Sequence, residues 1–183
     1  MLRLRPFKTC DAEKIVTWCQ DEKTFLLWGG ALFGQYPIPA EAMINKYLGE
    51  NGGCEEPDNF YPVCAADEEG VAGHLILRYL HGNPDIIRLG WVILDPSRRG
   101  QGNGKEMIYL AMKYAFLILN ARKVSIGVFD NNPAAYHCYL SCGFHKAGPD
   151  GEKDRDEVIL GEPCCVVELE ITKGEWLSQI VGK

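Results

Sequence analysis

Residues 98–105 read RRGQGNGK, and the three alternating glycines of this stretch decide how the chain is interpreted. Strand-like residues precede them at 86–94, and an apolar pattern with helical spacing follows them to about residue 120. Because glycine carries no side chain, the loop leaves its backbone N–H groups bare at the start of a helix, where the helix dipole adds partial positive charge. The stretch is therefore predicted to bind an anion.

The spacing of the glycines excludes two common phosphate-binding loops. A nucleoside-triphosphate loop needs a glycine where this chain has Arg99, and Ser or Thr where it has Glu106. The dinucleotide fingerprint Gly-x-Gly-x-x-Gly is one residue longer than the spacing from Gly100 to Gly104. The loop alone does not exclude a second interpretation, in which it is only a flexible turn between a strand and a helix.

The rest of the chain predicts an α+β fold. Strands are predicted at 2–7, 60–66, 71–80, 86–94, 123–129, 144–148 and 164–172. Helices are predicted at 11–20, 21–28, 39–48, 104–120 and 132–143, with loops at 51–53 and 148–163. We expect one domain, residues 1–183, built on a mixed, mostly antiparallel sheet of about seven strands with helices on both faces.

Composition narrows the class of protein. Of the 183 residues, 46% are hydrophobic and 24% are charged, which is typical of a globular chain. The net charge of −6 argues against nucleic-acid binding. The first residues lack the apolar run of a signal peptide, and no apolar stretch approaches the length of about 20 residues that spans a bilayer. We therefore expect a cytoplasmic protein with no membrane partner.

The eight cysteines include no Cys-x-x-Cys pair, so a disulfide framework has little support. Cys138 and Cys142 could clamp a metal from one helix, but the chain supplies no second pair at ligand spacing. Buried reduced thiols and no metal are expected.

A second motif, Asn-x-x-Ala-x-x-x-Tyr-x-x-x-Gly-Phe, occupies residues 132–144. Together with the loop Arg99-Gly-Gln-Gly-Asn-Gly, this motif resembles the signatures of the GNAT superfamily of N-acetyltransferases. The match is densest at 86–147. The opening 2–28 and the closing strand with Glu175-Trp176 resemble the ribosomal-protein N-terminal acetyltransferase branch.

The resemblance implies acetyl-CoA as the cosubstrate. The loop amides would hold its pyrophosphate, the strand backbone at 92–94 would pair with its pantetheine arm, and the parallel strands 86–94 and 123–129 would separate to admit that arm. The coenzyme-binding residues that the resemblance implies are Val92, Ile93, Leu94, Arg99, Gly100, Gln101, Gly102, Asn103, Gly104, Lys105, Asn132 and Ala135. Asn132 could contact the coenzyme directly or could serve only as the N-cap of its helix, and the sequence leaves both roles possible.

Tyr139 is implied as the acid that protonates the departing thiolate. Reference pKa values of about 10 for a phenol and 8.5 for a thiol make that proton transfer nearly balanced. Asn132, Ala135 and Tyr139 share one helix face. The strand at 86–94 contains no carboxylate, so the general base that would deprotonate the amine is unassigned. A water relay or His74 could serve as this base. His74 could equally be a residue on the surface of the sheet.

The acceptor is expected to be an amine. Deprotonating a lysine-type amine at neutral pH costs about 4–5 kcal/mol, against roughly 1 kcal/mol for an α-amine. A site without a strong base therefore favours the N-terminal α-amine of a peptide or protein. The alternatives are a small amine (an aminoglycoside or polyamine) and a non-catalytic acyl-CoA-binding module. The acidic residues Glu55, Glu56, Asp58 and 150–157 could steer a cationic acceptor or form solvated loops, and the protein could be a monomer or a homodimer.

Overall fold

The computed structural model describes residues 1–52 and 60–181. Its strands are β1 (Arg3–Pro6), β2 (Phe60–Asp67), β3 (Gly70–Leu80), β4 (Asn83–Leu94), β5 (Lys123–Phe129), β6 (His145–Lys146), β7 (Arg155–Ile159) and β8 (Glu162–Thr172). Its helices are α1 (Ala12–Val16), α2 (Glu22–Leu27), α3 (Ala40–Gly52), α4 (Asn103–Leu117), α5 (Pro133–Ser141) and α6 (Lys173–Val181). Among these residues, no helix is long and apolar enough to cross a membrane.

The eight strands form one sheet in the order β1-β2-β3-β4-β5-β8-β6, with β7 paired to β8. Only β4 and β5 run parallel, and the other neighbours are antiparallel. One face packs against α4, α5 and α6 through residues such as Met107 and Trp176. The opposite face packs against α1, α2 and α3 through Ile15, Phe25 and Met43. The predicted fold class is confirmed.

Some element boundaries differ from the prediction. Helix α1 stops at Val16 because the chain tightens there: the Thr17 and Trp18 amides bond carbonyls three residues back, at 3.2 and 3.0 Å. Residues 51 and 52 belong to α3, whereas residue 53 of the predicted loop lies outside the described residues.

Two elements were not predicted. Strand β7 lies inside the segment predicted as an acidic loop, and its register with β8 runs from Arg155↔Val166 to Ile159↔Glu162. Helix α6 follows β8 directly and buries Trp176 against Phe116, with ring centroids 5.2 Å apart. Helix α6 depends on a partner far away in the chain, which a local pattern does not reveal. Strand β7 pairs with the next strand, but its mostly exposed, acidic residues show no alternating pattern.

A β-bulge turns the end of β4. Between the pairs Ile76↔Gly90 and His74↔Ile93, β3 advances by two residues and β4 by three, so β4 contains one extra residue. Trp91, within this stretch, adopts a left-handed φ of 45°. The extra residue shifts the alternation of side chains, as is typical of a bulge. Leu89 before the bulge and Val92 after it therefore lie on the same face of the sheet.

A buried ion pair crosses the sheet beside this region. Glu168 of β8 is 1% exposed and receives two hydrogen bonds from Arg88 of β4, at 2.7 and 2.9 Å, and one from Arg155 at 3.0 Å. Gly127 of β5 makes the contact possible, because a Cβ there would lie 2.7 Å from the Arg88 guanidinium. Strand β8 is thereby tied to β4 across β5.

Replacing Glu168 with alanine is expected to destabilise the protein by about 3–5 kcal/mol, because the Arg88 charge loses its partner while still largely buried. Urea unfolding measures the change as a shift in midpoint at constant slope. The control is Glu162→Ala, an exposed carboxylate on the same strand, which should change stability by less than about 0.5 kcal/mol. Similar small effects from both variants would contradict this account of the ion pair.

Candidate active site

A groove begins where the two parallel strands stop pairing. The register of β4 with β5 runs from Ile86↔Lys123 to Leu89↔Ile126. Both strands then continue, to Leu94 and Phe129, without pairing to each other. The separated strand ends expose backbone that an unbroken sheet would cover.

The groove has a volume of about 410 Å³. It is bounded by the end of β4, the 98–104 loop with the first turn of α4, one face of α5, and the end of α2. The predicted site residues that line it are Val92, Ile93, Leu94, Arg99, Gly100, Gly102, Gly104, Lys105, Asn132, Ala135 and Tyr139. Two distant sequence motifs therefore meet in one cavity.

Two predicted residues, Gln101 and Asn103, are not among the lining residues. Their side chains hold the loop in shape instead. The Gln101 amide donates to the Ser97 carbonyl at 3.0 Å, and the Asn103 amide donates to the Arg98 carbonyl at 2.9 Å. These two contacts brace the loop against the turn that precedes it.

The loop presents unpaired donors. Within the described ranges, no protein acceptor bonds the backbone N–H groups of residues 100–105. Gly100 and Gly102 have φ of 75° and 85°, a region that L side chains rarely adopt, and a Cβ at either would meet no atom within 4 Å. The amides at the head of α4 are therefore open to the groove and suited to an anion.

The charged residues of the loop divide into two groups. Arg98 is tied to the β2–β3 turn through Asp67 at 2.8 Å and Glu69 at 2.7 Å, and the hydrogen bond from Arg98 lowers the pKa of Asp67. Arg99 and Lys105 line the groove and make no ion pair with any described residue within 4 Å. Arg98 thus fixes the loop, while Arg99 and Lys105 leave positive charge facing the cavity.

Helix α5 presents its motif residues on one face. Asn132 caps the helix by accepting a bond from the Ala135 amide at 3.3 Å, and Pro133 occupies the first turn. Ala135, Cys138 and Tyr139 line the groove, whereas Tyr136 does not. The N-cap role of Asn132 is present in the structure.

Tyr139 is 6% exposed and lies at the inner wall of this groove. Burial, with a smaller contribution from Cys138 and Cys142, raises the pKa of its phenol well above the ordinary value. No hydrogen bond to its hydroxyl is found within 1–52 and 60–181. The side chain therefore stays protonated at neutral pH and can donate a proton into the groove.

Helix α2 supplies groove residues that sequence reasoning missed: Thr24, Leu27 and Trp28. The Trp28 indole donates to the Trp91 carbonyl at 2.9 Å, and the Trp91 indole donates to the Gly29 carbonyl at 3.3 Å. This reciprocal contact holds the wall of the groove against the bulge in β4. The two tryptophans were visible in the sequence, but their pairing across some sixty residues was not.

His74 is buried, so its suggested sheet-surface position is wrong. It is 0% exposed, its Nε2 lies 2.6 Å from the Tyr47 hydroxyl and its Nδ1 lies 3.7 Å from the Cys64 sulfur. Burial lowers the pKa of His74 to about 3, so the ring is neutral. Since it does not line the groove, the structure gives it no access to an incoming amine.

A second cavity of about 360 Å³ lies at the opposite ends of β4 and β5 and shares no lining residue with the groove. Asp150, Glu152 and Glu170 line it, and the Glu152 carboxylate lies 3.2 Å from His81. Of the other acidic residues predicted to steer a cation, Glu55, Glu56 and Asp58 lie outside the described residues. No cluster of three or more potential metal ligands occurs in the described part of the chain.

Comparison with known proteins links this geometry to a family. The model of the acetyltransferase (GNAT) domain matches residues 1–145. A spermidine N(1)-acetyltransferase of Vibrio cholerae is 32% identical over 110 residues, 59% of this chain and 58% of the relative. One of Escherichia coli K12 is 24% identical over 120 residues, 66% of this chain and 61% of the relative. The chain thus spans about three fifths of the length of these curated relatives.

Solved structures share the fold. A Vibrio cholerae spermidine N-acetyltransferase in complex with CoA and spermine superposes with a TM-score of 0.75 at 22% identity, covering 96% of this chain and 98% of that one. An aminoglycoside acetyltransferase in complex with coenzyme A gives 0.73 at 15% identity, covering 98% and 99%. The relatives named here are spermidine and aminoglycoside acetyltransferases rather than members of the ribosomal-protein branch that the sequence suggested.

Proposed function

The chain belongs to the GNAT family of acetyltransferases, and we propose that it transfers acetyl from acetyl-CoA to a small polycationic amine, of which a polyamine is the best representative. The observation that carries the proposal is the groove itself. Unpaired amides at the head of α4 and the buried phenol of Tyr139 face one cavity of about 410 Å³.

The residues of the groove suit coenzyme A. In the proposal, the amides of the 100–105 stretch bind the pyrophosphate together with Arg99 and Lys105. These amides have no protein acceptor, and the two cations have no ion-pair partner among the described residues, although Arg99 also donates to the Leu94 carbonyl at 3.3 Å. The backbone at 92–94 pairs with β3 on one side but not with β5 on the other, and on that side it pairs with the amide-rich pantetheine arm. Ala135 and Asn132 border the arm from α5. When bound, acetyl-CoA supplies the activated acetyl thioester.

Tyr139 is proposed to hold the proton that the leaving sulfur needs. Its raised pKa keeps the hydroxyl protonated before reaction, and the same buried setting disfavours release of the proton to water. Burial disfavours a thiolate as it disfavours a phenolate, so the pKa of the leaving thiol is expected to rise in the same setting. Proton transfer from Tyr139 to the sulfur is then not steeply uphill. The phenolate that this transfer leaves is reprotonated by the proton that the amine nitrogen loses on acetylation.

Two physical arguments favour a polyamine acceptor over a peptide α-amine. The net charge of −6 attracts a polycation more strongly than a single amine. In addition, neighbouring ammonium groups on one molecule lower each other's pKa, which reduces the cost of providing a neutral amine where no base is assigned. The names of the curated relatives agree with this choice.

The acceptor class is tested by release of free thiol from acetyl-CoA with matched amines. Spermidine should be acetylated at least about tenfold faster, in kcat/KM, than a peptide with a free N-terminus. Comparing 1,4-diaminobutane with butylamine isolates the effect of a second charge, and the diamine should be the better substrate. Faster turnover of the peptide would restore the α-amine alternative, and no turnover of any amine would favour a non-catalytic acyl-CoA-binding module.

Replacing Gly102 with aspartate is expected to abolish binding of coenzyme A in a calorimetric titration, because a carboxylate would stand where the pyrophosphate is proposed to lie. Gly161→Asp is a matched control. Gly161 has a φ of 83°, is equally open and lies in the β7–β8 turn. Both variants should lose about 1 kcal/mol of stability through backbone strain. If Gly102→Asp binds as tightly as Gly161→Asp, the loop is not the pyrophosphate site.

Replacing Tyr139 with phenylalanine should lower kcat by about 10²-fold or more while leaving the affinity for coenzyme A nearly unchanged. The control is Tyr136→Phe on the same helix, which removes a hydroxyl outside the groove and should leave kcat intact. Steady-state kinetics and coenzyme titration separate the two effects. Unchanged turnover in Tyr139→Phe would remove the residue from the mechanism.

A further inference from the structure

A pair of cysteines on α5 lies against the anion-binding end of the groove. Cys138 lines the groove, and a Cβ at Gly104 would lie 3.5 Å from its sulfur. The thiol is therefore packed on the first turn of α4, where the open amides converge. Cys142 follows one helical turn later, and its sulfur lies 3.9 Å from the Lys105 carbonyl oxygen.

The surroundings of Cys138 stabilise a thiolate. Interaction with the Cys142 thiol lowers the pKa of Cys138; burial opposes this effect, and the charge of Lys105 adds to it. The positive end of α4 acts in the same direction. Cys165, in contrast, has a pKa raised by desolvation and by nearby aspartates such as Asp154. Cys138 is thus a nucleophilic thiol in an open, electropositive groove.

We propose that Cys138 is a site of reversible thiol modification, reacting with a small anionic disulfide such as glutathione disulfide and thereby closing the groove. The cations Arg99 and Lys105 and the unpaired amides of the loop would attract the anionic reagent. Only the last step of this inference, the loss of coenzyme binding, rests on the proposed function.

The chemistry balances without any further oxidant. The Cys138 thiolate attacks one sulfur of the disulfide, a new S–S bond forms to the protein, and the old S–S bond breaks. The leaving half departs as a thiolate and takes a proton from water. The half that stays attached stands beside Gly104, in the space where the proposed pyrophosphate would lie. A thiol reductant such as dithiothreitol reverses the modification.

The test combines intact-mass and peptide mass spectrometry with coenzyme titration of the full chain. Glutathione disulfide should add one glutathione at Cys138. Acetyl-CoA, whose blocked sulfur cannot reduce the adduct, should slow this addition about tenfold at ten times its dissociation constant. The adduct should abolish binding of acetyl-CoA until reductant is added. Cys138→Ser should bind acetyl-CoA equally well before and after treatment with glutathione disulfide. The control is Cys10→Ser, which removes an exposed thiol far from α5 in the sequence and should lose binding after treatment, as the wild type does.

A cationic disulfide supplies the charge control. The ratio of glutathione adduct to cystamine adduct should be higher at Cys138 than at Cys10, because Cys138 shares its groove with Arg99, Lys105 and the unbonded loop amides. Absence of the adduct at Cys138, or an adduct that leaves coenzyme binding intact, would overturn the proposal. If the unmodified protein binds no coenzyme A, the proposed function fails, and the adduct and the charge ratio alone then decide whether Cys138 is a modification site.

Discussion

The early end of the β4–β5 pairing is the constraint on which the rest of the site depends. The strands pair only as far as Leu89↔Ile126, and the bulge at Trp91 then turns β4 away from its parallel neighbour. The exchange of hydrogen bonds between Trp28 and the bulge holds this departure in place. Without it, the sheet would close, and the loop at the head of α4 would face a covered strand rather than a groove.

The groove concentrates positive potential in an acidic protein. Glycines with positive φ turn the loop so that its amides remain unbonded, Arg98 is neutralised by Asp67 and Glu69, and Arg99 and Lys105 stay free of ion pairs among the described residues. The chain as a whole carries a net charge of −6, of the opposite sign. This separation suits the proposed function, in which an anionic coenzyme binds in the groove and the overall field attracts a cationic acceptor.

Features fixed by neighbouring residues could be predicted from the sequence, and those fixed by distant partners could not. The loop glycines, the Asn132 cap and the shared face of Ala135 and Tyr139 follow from local backbone chemistry. The burial of His74, the Arg88–Glu168 pair and the α2 wall depend on contacts between residues tens of positions apart. Strand β7 was missed because its acidic, mostly exposed residues carry no alternating pattern and pair only through β8.

The central claim is that the open amides of residues 100–105 hold the pyrophosphate of coenzyme A. The most direct measurement is a titration of ¹⁵N-labelled protein with coenzyme A, following backbone amide resonances. The largest changes are expected at the amides of Gly100, Gly102 and Gly104, with smaller ones along 92–94. Saturable binding that leaves the loop glycines unperturbed while residues elsewhere respond would contradict it.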